Sequence, residues 1–252
     1  MTQMLRPAPA GNAVRPPARW LRDLLRTEIL RGGFADDILP GEASLMQTHR
    51  VARGVVREAL DLLRREGIVE RLPGTGTLVV ARRNVSRLVE VHGVSDFDPD
   101  VFLAEVLERR EVPMPSTVAH HLDEEPGTPC FMIEYLGFAH GSVVGLYTNY
   151  LRYPEAECVA ATPFVNHWYG LLADAGLEVD DSELLIEAVI ADELLAARLD
   201  IAPGRPILGL QQVIRDRAGR PYDFAILRHR GDRIALLSRA NRPLAVTRKD
   251  SA

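Results

Sequence analysis

Cysteine is scarce in this 252-residue chain: Cys130 and Cys158 stand far apart, with no CxxC or Cys/His spacing. That excludes a disulfide framework and a cysteine-rich metal site, and both are expected to be reduced core residues. No apolar run approaches the roughly 20 residues that span a bilayer. The first residues also lack the apolar core of a signal peptide. These absences lead to the expectation of a cytoplasmic protein with no membrane partner. Lysine is nearly missing too, Lys249 being the only one. No GxSxG motif accompanies the Ser, His and Asp residues, and Gly74-Thr75-Gly76 has no following Gly-Lys-Ser/Thr, so it is not a P-loop. His120-His121, with Asp123, Glu124 and Glu125 nearby, is a poor metal set. Adjacent helical side chains point about 100° apart and cannot easily share an ion. No cofactor, metal or catalytic residue is therefore assigned.

The chain does have an uneven charge. Residues 1–90 hold 15 arginines against 10 acidic residues, and the remainder holds 15 basic against 25 acidic ones. A positive front and a negative back suggest that only the front meets a polyanion. The stretch Val51–Gly67 fits that role. Val56, Ala59, Leu60 and Leu63 recur at helical spacing, and Arg53, Arg57, Asp61 and Arg64 share another face. Gly67 supplies a helix stop. A helix with arginines near its N-terminus is what a helix-turn-helix protein lays in the major groove.

The flanking segments are consistent with this. Residues 1–16, rich in Pro and Ala, are expected as a disordered arm. A first helix should run from Pro17 to Arg31, with Trp20, Leu21, Leu24, Leu25, Glu28 and Ile29 as its stripe. A turn is expected through 36–41, then a second helix from Glu42 to His49 with Leu45 and Met46 inward. After Gly67, Ile68–Leu72 and Thr77–Val80 read as strands joined by a glycine-rich turn at 73–76. A hairpin after a recognition helix is a wing, whose glycines let backbone approach phosphates.

Residues 20–80 resemble the GntR family of bacterial transcription regulators. The landmarks are Glu28-Ile29-Leu30-Arg31-Gly32-Gly33, Leu39-Pro40, Glu42, Leu45, Arg53, Val56-Arg57-Glu58-Ala59-Leu60, Leu63, Glu66-Gly67-Ile68-Val69 and Gly74-Thr75-Gly76-Thr77. The resemblance implies that Arg53 and Arg57 contact an operator and that the wing tip enters the minor groove. Arg53, Arg57, Gly54, Glu42, Gly74, Thr75 and Gly76 are the expected DNA-binding residues. Ala52, Val55 and Ala43 depart from the common pattern of Ser/Thr, Thr and Arg.

Residues 81–99 read as a linker whose Val85, Leu88, Val89 and Val91 could pair as an edge strand. Beyond it, 101–107 could be helical, and Ser116 is a plausible N-cap for a helix to Leu122. Strands are expected at 130–138, 142–151, 184–190, 206–215 and 222–230, with helices at 166–175 and 192–199. That mixture is an α+β domain over 100–239, followed by a tail at 240–252.

This half is similar to the UTRA effector-binding domain of the HutC subfamily. The similarity rests on Trp168-Tyr169-Gly170-Leu171-Leu172, on Ala197–Leu199 through Pro203–Leu208, on Asp216–Asp223 and on Arg230-Gly231-Asp232-Arg233. It implies a chorismate lyase-like sheet with a small-molecule pocket, and often dimerisation. Positions that carry arginines and a glutamate in sugar-phosphate-sensing relatives correspond here to Tyr135, Gly137 and Tyr147. A sugar phosphate is therefore not expected, because a buried phosphate needs paired positive charge. The candidate effector residues are Tyr135, Tyr147, His167, Tyr169, Asp223 and Arg228, suited to a less charged, aromatic or amphiphilic ligand.

Together these readings give a winged helix-turn-helix at 17–80 joined to a UTRA-like domain. The expected function is ligand-responsive repression, with a homodimer on a palindromic double-stranded operator. An enzyme on a chorismate lyase-like scaffold with a DNA-binding appendage is the alternative.

Overall fold

The computed structural model describes residues 16–80, 84–88 and 102–239. The chain divides into two compact units, 1–83 and 84–252. The expected arm and tail lie outside the described residues, except Pro16, which opens the first helix. Among the described residues, no helix is long and apolar enough to cross a membrane.

The first unit holds α1 (Pro16–Leu30), β1 (Ile38–Leu39), α2 (Glu42–His49), α3 (Arg53–Arg65), β2 (Val69–Leu72) and β3 (Gly76–Val79). Val56, Ala59, Leu60 and Leu63 of α3 are all buried, packed with Leu21, Leu25 and Leu45. Burying each Leu contributes about 1.5–3 kcal/mol. The stripe of α1 is narrower than its sequence suggests. Ala18, Leu21 and Leu25 are buried, whereas Trp20 and Leu24 are about 60 % exposed. The guanidinium groups of Arg22 and Arg26 on α1 both reach Glu66, just past α3, and tie the two helices together. Ile38 and Leu39, expected as turn, instead pair with Leu78 and Thr77 of β3, giving a three-stranded sheet of order β1-β3-β2.

The second unit is built on one antiparallel six-stranded sheet. Its strands are β5 (Phe102–Pro113), β6 (Pro129–Ala139), β7 (Ser142–Arg152), β8 (Asp181–Ile190), β9 (Pro206–Arg215) and β10 (Pro221–Arg230), ordered β5-β6-β7-β10-β9-β8. The helices are α4 (Ser116–Leu122), α5 (Glu155–Ala161), α6 (Trp168–Asp174) and α7 (Glu193–Leu199). A separate parallel pair joins β4 (Asn84–Arg87) to β11 (Ile234–Leu237). The linker thus does pair in part, though parallel and outside the main sheet.

Several expectations are corrected. Residues 102–113 are strand, because β5 pairs with β6 along its whole length. A register shift between Val106 and Glu108 breaks the two-residue alternation, so the segment resembles a helix on paper. Ser116 is not the cap of α4; Pro115 occupies that position and no side chain caps the helix. Asp192 does cap α7, accepting a bond from the Leu195 N–H at 2.8 Å. Cys130 is buried as expected, but Cys158 is exposed. His121 stacks flat on Phe224 at 4.4 Å, so its ring packs against the sheet.

Candidate functional site

Two sites emerge, one in each unit. In the first, Glu42 is the opening residue of α2, where its negative charge suits the helix N-terminus. Its carboxylate lies 3.1 Å from Arg57 Nε and 3.6 Å from Arg53 Nε. Arg53 and Arg57 stand one turn apart on α3, and both side chains are more than 60 % exposed. Exposed ion pairs contribute little stability, so Glu42 chiefly positions these arginines. It engages them through Nε, which leaves their terminal nitrogens outside these contacts. That edge of a guanidinium matches the O6/N7 pair of guanine.

A groove of about 740 Å³ runs between α3 and the hairpin, lined by Glu42, Arg57, Arg64, Arg71, Thr75 and Gly76 among others. Gly74 and Gly76 have φ of 79° and 118°, backbone conformations that favour glycine over residues with a Cβ. Gly54 lies in the first turn of α3 with nothing within 4 Å of where a Cβ would be. Ala52 precedes α3 as its N-cap and offers no side-chain bond. The seven residues expected to bind DNA therefore fall on α2, α3 and the wing tip. Arg64, held by Asp61 at 2.5 Å, and Arg71 on β2 also line the groove but were not among the expected DNA-binding residues. Helical spacing had placed Arg64 on the face of Arg53 and Arg57, whereas nothing in the sequence marked Arg71.

In the second unit the site is the sheet face covered by α6. Side chains on a strand alternate between faces, and register carries that alternation across the sheet. Tyr135 lies opposite Tyr147, Tyr147 opposite Leu227, and Asn149 opposite Ala225. These residues share one face with Asp223. Tyr135 and Tyr147 have ring centroids 5.0 Å apart, Tyr135 stacks on Trp168 at 6.1 Å, and Phe164 meets Tyr135 edge-on at 4.7 Å. Glycines make room for the rings: a Cβ on Gly137 would collide with Phe102 and Tyr147, and one on Gly145 with the Tyr147 hydroxyl. That hydroxyl is 3.2 Å from His229 Nδ1. Burial holds the His229 imidazole down at about 4 and pushes the Tyr135 and Tyr147 hydroxyls well up.

Asp223 is fully buried. Its carboxylate accepts from Trp168 Nε1 at 2.7 Å and from Asn149 Nδ2 at 3.0 and 3.1 Å. Burial raises it to about 7, although those two bonds pull the other way. Tyr169 accepts at its hydroxyl from Gln212 Nε2 at 2.7 Å, and the same nitrogen donates to Ser182 Oγ at 2.7 Å. His167 caps α6, its Nδ1 accepting from the Gly170 N–H at 3.0 Å.

Tyr135, Tyr147, Tyr169, His167 and Asp223 thus lie on this face or on the helix over it. Arg228 does not join them. It pairs with Leu146 and Gly209, in a row that faces the other side of the sheet. One residue of alternation separates it from Leu227, and the sequence alone did not fix which face was covered by α6. Asn149, Gln212, His229 and Phe164 were missed. An Asn between Tyr147 and Leu151 at inward spacing was the available signal for Asn149.

The UTRA domain profile matches residues 101–235, and that of bacterial regulatory proteins of the gntR family matches 17–79. The HTH-type transcriptional regulator GgaR of Escherichia coli is 25% identical over 85% of this chain and 86% of its own length. The histidine utilization repressor of Pseudomonas putida is 26% identical over 80% of this chain and 82% of its own. Among solved structures, PhnF from Mycobacterium smegmatis superposes with a TM-score of 0.59 at 23% identity, covering 87% of this chain and 98% of that one.

Proposed function

The chain belongs to the GntR family of bacterial regulatory proteins, with a UTRA domain as its larger part, and from that premise we propose that it is a ligand-controlled repressor acting as a homodimer on a palindromic operator. The Escherichia coli relative GgaR is named as an HTH-type transcriptional regulator. The name of the Pseudomonas putida relative favours repression. Residues 17–80 are the DNA-binding part, 81–99 the linker, and 100–239 the effector-binding and dimerising part. The cytoplasm, where the DNA is, is the place of action.

The observation that carries this reading is the Arg53–Glu42–Arg57 arrangement beside the groove and wing. Two recognition helices, presented about 34 Å apart by a two-fold dimer, would enter successive major grooves. Arg53 and Arg57 read guanine edges or adjacent phosphates. Gly74, Thr75 and Gly76 bring the wing backbone to the neighbouring minor groove, and Gly54 lets the start of α3 approach the DNA. The effector binds on the face formed by Tyr135, Tyr147, Tyr169 and Asp223, with His167 fixing the start of α6. It shifts DNA affinity by binding one state of the dimer better than the other. Loss of one base-reading arginine costs about 1–3 kcal/mol, so Arg57→Ala should weaken operator binding by roughly tenfold or more in a gel-shift titration. An Arg57→Ala protein that binds as tightly as wild type would contradict this docking.

A further inference from the structure

A carboxylate offers about four acceptor positions and needs either donors or a counter-charge when buried. Asp223 has two donor groups, Trp168 Nε1 and Asn149 Nδ2. Among the described residues, no cation lies within ion-pair distance of it. Its neighbour adds to the imbalance. Asn149 is 1% exposed, and its Oδ1 is buried with no hydrogen-bond partner. The spot therefore presents a surplus of buried acceptors and a shortage of donors, and leaving such groups unsatisfied is costly.

Around it stand ring systems. Tyr135, Tyr147, Phe164 and Trp168 form one continuous aromatic cluster, in which Tyr135 contacts each of the other three. Aromatic faces carry negative quadrupole charge and attract cations, most strongly where water is excluded. An anionic ligand would meet Asp223 with like charge, and Arg228 faces the other side of the sheet.

Resting on the effector-site reading above, we infer that the effector is a cation with an apolar body, a protonated amine, and that Asp223 and the Asn149 carbonyl oxygen receive its N–H groups. An ammonium brings three donors and a positive charge. That matches the buried acceptors, while the rings take the apolar body.

The test uses the full-length protein and three probes of matched shape: phenethylammonium, 2-phenylethanol and 3-phenylpropanoate. Titration calorimetry gives affinities. Trp168 fluorescence in a Trp20→Phe background, which removes the other tryptophan, reports binding at this face. The ammonium should bind about tenfold or more tighter than the alcohol, and the carboxylate weakest. In Asp223→Asn the ammonium should fall to the alcohol's affinity. The ranking within the wild-type protein tests the inference even if that variant does not fold. An alcohol or carboxylate that quenches Trp168 and binds as well as the ammonium overturns the cation but leaves the effector site standing. If no probe reaches Trp168 at any charge, both readings fall.

Discussion

Gly54 is a residue whose identity folding does not require. It lies in an exposed first turn, has an ordinary helical backbone, and borders open space. Folding alone favours Ala there by about 0.5–1 kcal/mol. Gly54→Ala should therefore leave the protein as stable as wild type or more so in thermal melts, yet weaken operator binding. Unchanged DNA affinity would mean that the missing side chain serves no close approach. Asp223 and His229 make a second residue-scale pair. Folding raises the Asp223 carboxyl from 3.8 to about 7, so the folded chain keeps a proton that the unfolded chain releases. Its contribution to stability is present at low pH and is lost as pH rises towards 7. Folding lowers His229 from 6.5 to about 4, so its contribution is lost as pH falls towards 4. Between about pH 4 and 6.5 the two slopes oppose, each reaching at most about 1.4 kcal/mol per pH unit. Urea melts across that range should show Asp223→Asn gaining stability as pH rises, His229→Gln losing it, and the wild type flatter than either. Two variants that slope the same way would contradict the assignment.

At the scale of elements, helix α3 sets the clearest expectation. Its N-cap, Ala52, supplies no side-chain acceptor. Ala52→Ser should add one and stabilise the helix by about 0.5–2 kcal/mol, visible in denaturation of the full-length protein. No gain would mean that the start of α3 is already satisfied by other groups. The same helix was largely legible in the sequence because its apolar spacing and Gly67 both point to one answer. The strands β6, β7, β9 and β10 were legible for a similar reason, since glycine turns bound apolar runs. Where patterns broke, the reading failed. The register shift in β5 made a strand resemble a helix, β11 is only four residues, and α5 has no marked stripe. The site was half legible. Arg53 and Arg57 follow helical spacing on α3, and Glu42 of α2, expected from the family resemblance, meets them in space, whereas Arg228 was lost to the face question. The Asp223–Asn149–Trp168 bonds join three separate elements, and no local pattern encodes them.

For the whole molecule, charge is unevenly divided between front and back. DNA affinity should accordingly depend on salt through the arginines of the front alone. Arg53, Arg57, Arg64 and Arg71 on each of two heads imply a log–log slope of about −7 when all eight meet phosphates, given about −0.9 per phosphate neutralised. A slope shallower than about −4, the value for one head alone, would not fit a two-headed complex built on these residues.

The central claim is that the Glu42-held arginine pair reads DNA. Selection from random duplexes at physiological salt, run with the full-length wild type and with Arg57→Ala, tests it most directly. The account predicts a palindromic motif with wild type, its half-sites about one helical turn apart, and collapse of that enrichment with Arg57→Ala. The same motif enriched equally by both proteins, or no motif with wild type, would contradict it.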